Sequence, residues 1–79
     1  MRLSPLVSLR DESFGALAYH FGTRRLVFLK SKALVELVES LAAHRSVRAA
    51  VDAQVAPTER DHYLAALSRL YDAGVVDAA

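Results

Sequence analysis

Arg24-Arg25-Leu26-Val27-Phe28-Leu29-Lys30 sets four consecutive apolar residues, β-branched and aromatic members among them, between basic ends, and Ser31 stops the run. At this length that composition favours a strand over a helix. Side chains alternate along a strand, so Leu26 and Phe28 share one side of a sheet and Val27 and Leu29 the other. A strand buried on one face needs only one of those pairs. The second pair is surplus unless another layer, a second copy of the chain or a ligand covers it. The strand is therefore expected at the edge of a small sheet, with its open side as the working surface.

Toward the N-terminus, Ala16 to Phe21 alternates again, with Leu17, Tyr19 and Phe21 on one face and Ala16, Ala18 and His20 on the other. Gly22-Thr23 offers the positive φ of a tight reversal, which predicts a hairpin with the strand from Arg25. Leu6 to Arg10 is a further alternating stretch, with Pro5 just ahead of it and Asp11-Glu12-Ser13 suited to the turn after it. Three strands on short connections make an antiparallel meander whose first and third members are edges.

Beyond Ser31, a good N-cap, the period becomes helical: Leu34, Val35, Leu37, Val38, Leu41 and Ala42 form an apolar stripe, and the helix is expected to end near His44-Arg45. Ser46 opens a short second helix with Val47, Ala50 and Val51 inward. Pro57 ends that segment, and Thr58-Glu59-Arg60-Asp61 resembles a capping box with Asp in its last place. The third helix is expected to bury Tyr63, Leu64, Leu67, Leu70 and Tyr71 and to stop at Gly74, with Val75 and Val76 packing back. The order β-β-β-α-α-α, without repeat or linker, predicts one α+β domain over residues 1–79, helices on one face of the sheet.

With 79 residues and no cysteine, the chain has neither disulfides nor thiolate metal ligands, so apolar burial must hold it together, and 53% hydrophobic residues supply the material. A formal net charge of +1 argues against a polycation for nucleic acid. No apolar run reaches the roughly 18 to 20 residues that span a bilayer. Pro5, Ser8 and Arg10 interrupt any signal-peptide core, so a reducing, cytoplasmic location is expected.

Catalytic chemistry finds no foothold. His20, His44 and His62 fall on three different elements without metal-ligand spacing, and Glu36 and Glu39 lie opposite an apolar stripe, as a solvated pair does. The Ser and Thr residues are mainly taken up by caps and turns, and no Gly-rich phosphate loop or nucleophile elbow is present. The expectation is a non-enzyme without cofactor or metal. Two features stand out instead. Arg24, Arg25, Lys30 and Lys32 crowd around the edge strand, either as protection against strand-to-strand aggregation or to draw an acidic peptide that pairs with the strand. The two capped helices after Ser46 and Thr58 also allow a helix-turn-helix, so a small winged-helix DNA-binding or regulatory module is the alternative. Glu59, Asp61 and Asp72 on the third helix would face phosphates unfavourably.

The junction Leu29-Lys30-Ser31-Lys32-Ala33-Leu34 and the ending Leu67-Ser68-Arg69-Leu70-Tyr71-Asp72-Ala73-Gly74-Val75-Val76 resemble the PqqD-like peptide-recognition domains of pathways that modify ribosomally made peptides. Phe14-Gly15-Ala16-Leu17-Ala18-Tyr19-His20-Phe21-Gly22-Thr23-Arg24-Arg25-Leu26-Val27-Phe28-Leu29-Lys30-Ser31 looks more specifically like the signature of the mycofactocin-system peptide chaperones. That resemblance implies a winged-helix-like fold and a non-catalytic accessory role. The protein would bind the leader of a precursor peptide and present it to a radical S-adenosylmethionine enzyme, the partner that holds the iron-sulfur clusters. It further implies a leader added as a strand to Arg25 through Lys30, in a groove walled by Tyr63, Ala66, Leu67 and Leu70 of the third helix. The surplus apolar face could instead join two copies into a homodimer.

Overall fold

The structure, a computed structural model, describes residues 1–78; Ala79, with which the expected domain ends, lies outside the described residues. It is an α+β fold. Strands β2 (Val7–Glu12), β3 (Gly15–His20) and β4 (Arg25–Leu29) form an antiparallel sheet in the order β2-β3-β4. The expected meander is present, with β4 at one edge. Its register pairs Leu9 with Ala18 and Ala18 with Val27 in one cross-strand row, and Asp11 with Ala16 and Ala16 with Leu29 in the next.

The row members of β3 and β4 mark the inner face. Ala16, Ala18 and Leu29 are fully buried, and Val27 is half-buried. Alanines on the central strand leave room for helix α1 (Lys32–Ser40) to settle directly on the sheet, which is how a chain this short closes a core. Ser31 caps α1, accepting a hydrogen bond from the Leu34 N–H at 3.0 Å. The regular helix stops at Ser40, short of His44-Arg45, and a 3₁₀ turn over Leu41–Ala43 carries the chain to the second cap. There Ser46 accepts from the Ala49 N–H and opens α2 (Val47–Gln54), with Ala50 and Val51 buried.

Helix α3 (Arg60–Asp72) begins differently from the expected capping box. Pro57 starts a 3₁₀ turn over Pro57–Glu59, so Thr58 already lies inside a turn and cannot hold the extended conformation of a cap; Glu59 flanks the helix without a side-chain capping bond. The bond between the Arg60 Nε and Asp52 Oδ1, 2.8 Å, links α3 to α2 instead. At the other end the expectation holds: Gly74, at φ +80°, donates to the Tyr71 carbonyl and Val75 to the Leu70 carbonyl, the paired bonds of a Schellman ending. Val75 and Val76 then turn back into the core. They bring β5 (Val76–Asp77) beside β1 (Arg2–Leu3), a two-stranded ribbon that the sequence pattern, too short to show alternation, did not announce. Tyr71, expected in the core, is 48% exposed, because the buried stripe of α3 runs through Ala66, Leu67 and Leu70.

Two differences in the hairpins bear on β4. Asp11 and Glu12 extend β2 rather than forming its turn, leaving Ser13-Phe14 as the connection. In the reversal before β4 the positive φ belongs to Arg24, at 60°, and not to Gly22. Gly22 serves by its size: a Cβ there would lie 2.9 Å from the His20 ring.

Candidate functional site

Among the described residues β4 pairs only with β3, so the backbone along its other side forms no ladder. Across from that edge stands α3. Between them lies a groove of about 400 Å³ lined by Val27, Phe28, Lys30 and Ser31 from β4 and its end, Leu34 from the first turn of α1, and His62, Tyr63, Ala66, Arg69 and Leu70 from α3. Its floor is apolar. Its charged lining groups are Lys30 on the strand side and Arg69 on the helix side, and no carboxylate lines it. Neither Lys30 nor Arg69 has an ion-pair partner among the described residues. The His62 ring stands edge-on to Tyr63, centroids 5.3 Å apart, and so limits how that tyrosine can turn.

A glycine fixes where β4 ends. At Gly15 φ is +153°, and a Cβ built there would fall on the Leu29 carbonyl oxygen and within 2.9 Å of the Ser31 nitrogen. The backbone of β3 thus meets the β4-to-α1 junction without a side chain between them, which sets Lys30 and Ser31 at the mouth of the groove.

Of the residues singled out from the sequence, the groove brings together Val27, Phe28, Lys30, Tyr63, Ala66 and Leu70. Leu29 and Leu67, 0% and 1% exposed, lie in the core below it. Leu26 projects from the outer face of the sheet. Arg24 and Arg25 are exposed where the chain enters β4. Lys32 lines a separate hollow with Asp11, Glu12, Glu36 and Glu39, where carboxylates surround its charge. The sequence reading missed Ser31, Leu34, His62 and Arg69 as lining groups. The last two were within reach: with Tyr63, Ala66 and Leu70 on the wall, positions 62 and 69 complete the same helical stripe. Hydropathy alone hid them.

An open sheet edge set beside a basic, apolar-floored groove gives a small domain of the class that has room for an extended segment along an edge strand. The chain matches, over residues 1–77, the profile of the family described as Peptide chaperone MftB family, and it belongs to that family. It is 49% identical over 70 residues to Peptide chaperone MftB of Mycobacterium tuberculosis, covering 87% of this chain and 64% of that protein. It is 47% identical over 76 residues to the protein of the same name from Mycolicibacterium smegmatis, covering 95% and 74%, and 51% identical over 70 residues to that of Mycobacterium ulcerans, covering 87% and 64%. The chain thus spans about two thirds to three quarters of the length of these relatives. No solved structure matches it significantly. The names of these relatives describe a binding role, in line with the expectation of a non-enzyme.

Proposed function

We propose that residues 1–79 act as one peptide-recognition domain, a non-catalytic peptide chaperone of mycofactocin biosynthesis. It binds the leader of a ribosomally made precursor by adding it as a fourth strand beside β4, and it presents the precursor to a radical S-adenosylmethionine enzyme. The observation that carries this reading is the unpaired β4 edge facing α3 across the groove. Main-chain hydrogen bonds to the edge supply affinity that does not depend on the peptide's side chains, and the groove reads every second side chain for size and polarity. Lys30 and Arg69, with Arg24 and Arg25 at the far end of the strand, favour an acidic leader. Cluster and S-adenosylmethionine chemistry belongs to the enzyme, since a chain without cysteine lacks the thiolates that hold such a cluster. The absence of cysteine also suits a reducing cytoplasm. The nucleic-acid alternative is less favoured, because Glu59, Asp61 and Asp72, three exposed carboxylates of α3 and its approach, would face phosphates unfavourably.

Calorimetric titration with a synthetic leader peptide of a mycofactocin precursor tests the reading. Along an edge strand alternate N–H groups point outward, so of Val27 and Phe28 one offers its donor to the leader. Proline at that position is expected to weaken leader binding tenfold or more with a smaller loss of stability, while proline at its neighbour costs mainly stability. Equal leader affinity in both folded variants would exclude strand addition.

A further inference from the structure

The outer face of the sheet is a second uncovered surface, which meets the groove at Phe28 and Lys30. Ser8, Tyr19 and Leu26 form one of its cross-strand rows and Arg10, Leu17 and Phe28 the next. Phe21 packs edge-on to Tyr19 at 5.1 Å and Phe14 to Phe28 at 5.9 Å, extending the apolar strip past both ends of the strands. Leu26, Phe28, Phe21 and Phe14 remain 61%, 57%, 59% and 42% exposed.

We propose that this face is a self-complementary interface, at which two copies of the chain stack sheet on sheet. Charge is the first argument for a second copy over another occupant. Arg10 and Glu12, the ionised groups of β2 on this face, lie 3.6 Å apart and offset one another, so the face offers little to a charged ligand and does not repel its own likeness. Edge-to-edge pairing through β4 would instead bring Arg24 and Arg25 of one copy against Lys30 of the other. Symmetry is the second argument. A two-fold axis along β3 lays β2 of each copy over β4 of the other, in the aligned packing of β-sandwiches. That arrangement sets Glu12 opposite Lys30 of the second copy and Arg10 over its Phe28 ring, where cation and ring attract. Area is the third. At on the order of 200 Å² per large apolar residue, the four exposed side chains present roughly 450 Å² per copy. Leu17, Tyr19 and the β2 residues bring two copies to about the 1,200 Å² at which specific interfaces begin, which fits a dimer in the micromolar range or weaker. The stacked pair leaves the backbone edge of each β4 open, so the proposal does not require strand addition, and Phe28 and Lys30 are the side chains the two surfaces share.

Sedimentation of the chain alone, from about 10 μM to about 1 mM, tests it. The expected result is a monomer–dimer equilibrium that Leu17→Lys and Leu26→Glu each weaken tenfold or more. Glu12→Lys is expected to weaken it and Lys30→Glu in the same chain to restore it, a rescue that a merely structural role does not produce. Isotope-filtered NOEs in a mixed sample should join the Leu17 and Leu26 methyls to aromatic rings of the second copy. A chain monomeric through the whole range overturns the proposal, and so does a dimer as tight in folded Leu17→Lys and Leu26→Glu as in the unchanged chain. Leader binding to Leu17→Lys reports on the groove separately, because Leu17 lies outside it.

Discussion

His20 organises the reversal into β4 through a single ring atom. Its Nδ1 accepts from the N–H groups of both Gly22 and Thr23 at 3.0 Å, and the ring is buried between Gly22 and Gly74. His20→Ala removes the acceptor for two backbone donors, so it should cost about 2 kcal/mol in a urea titration, and His20→Asn, whose Oδ1 reaches the same position, should recover most of that loss. Equal losses in the two variants would assign the effect to packing alone. The sequence placed His20 only on the strand face of Ala16 and Ala18, because its bonds run to a turn whose geometry comes from Arg24 in the left-handed region, and periodicity does not see that. Groove residues were legible to different degrees for the same kind of reason. Val27, Phe28 and Lys30 follow from period two once β4 is an edge, whereas Arg69 and His62 depend on how α3 is rolled against the sheet, which the hydropathy of neighbouring positions does not specify.

At the scale of elements, α3 divides its apolar residues between core and groove, and substitution should separate the two. Leu67→Ala is expected to lower stability by about 2 to 4 kcal/mol and to affect the leader only through the folded fraction, since Leu67 is buried. Tyr63→Ala, half-buried on the groove wall, should do the reverse: a smaller stability loss and leader binding weakened about tenfold in calorimetry. Strands and helices were readable because each carries its own period, and the caps at Ser31 and Ser46 announce two helix starts. The start of α3 was not. Thr58 has the composition of a cap, but Pro57 one residue earlier had already committed the backbone to a turn, and the local conformation prevailed over the side-chain pattern. The β1–β5 ribbon escaped notice because two-residue strands 74 positions apart exist only through the packing of the chain ends.

Taken whole, the molecule carries almost no net charge, and its positive residues matter by placement along one strand and one helix face. Leader affinity should therefore fall only several-fold between about 50 mM and about 500 mM salt, because screening reaches the flanking cations but not the main-chain bonds or the apolar floor. A steep salt slope would transfer the binding energy to the charges. β4 is thus a strand with one side satisfied at home and the other available to an incoming segment. Amide hydrogen exchange read by NMR, with and without the leader, tests that most directly. The account predicts that within Leu26 to Lys30 the amides pointing away from β3 exchange freely in the chain alone and become strongly protected with the leader bound, while amides of α2 stay unchanged. Protection that leaves the β4 amides untouched and falls on α2 would contradict it.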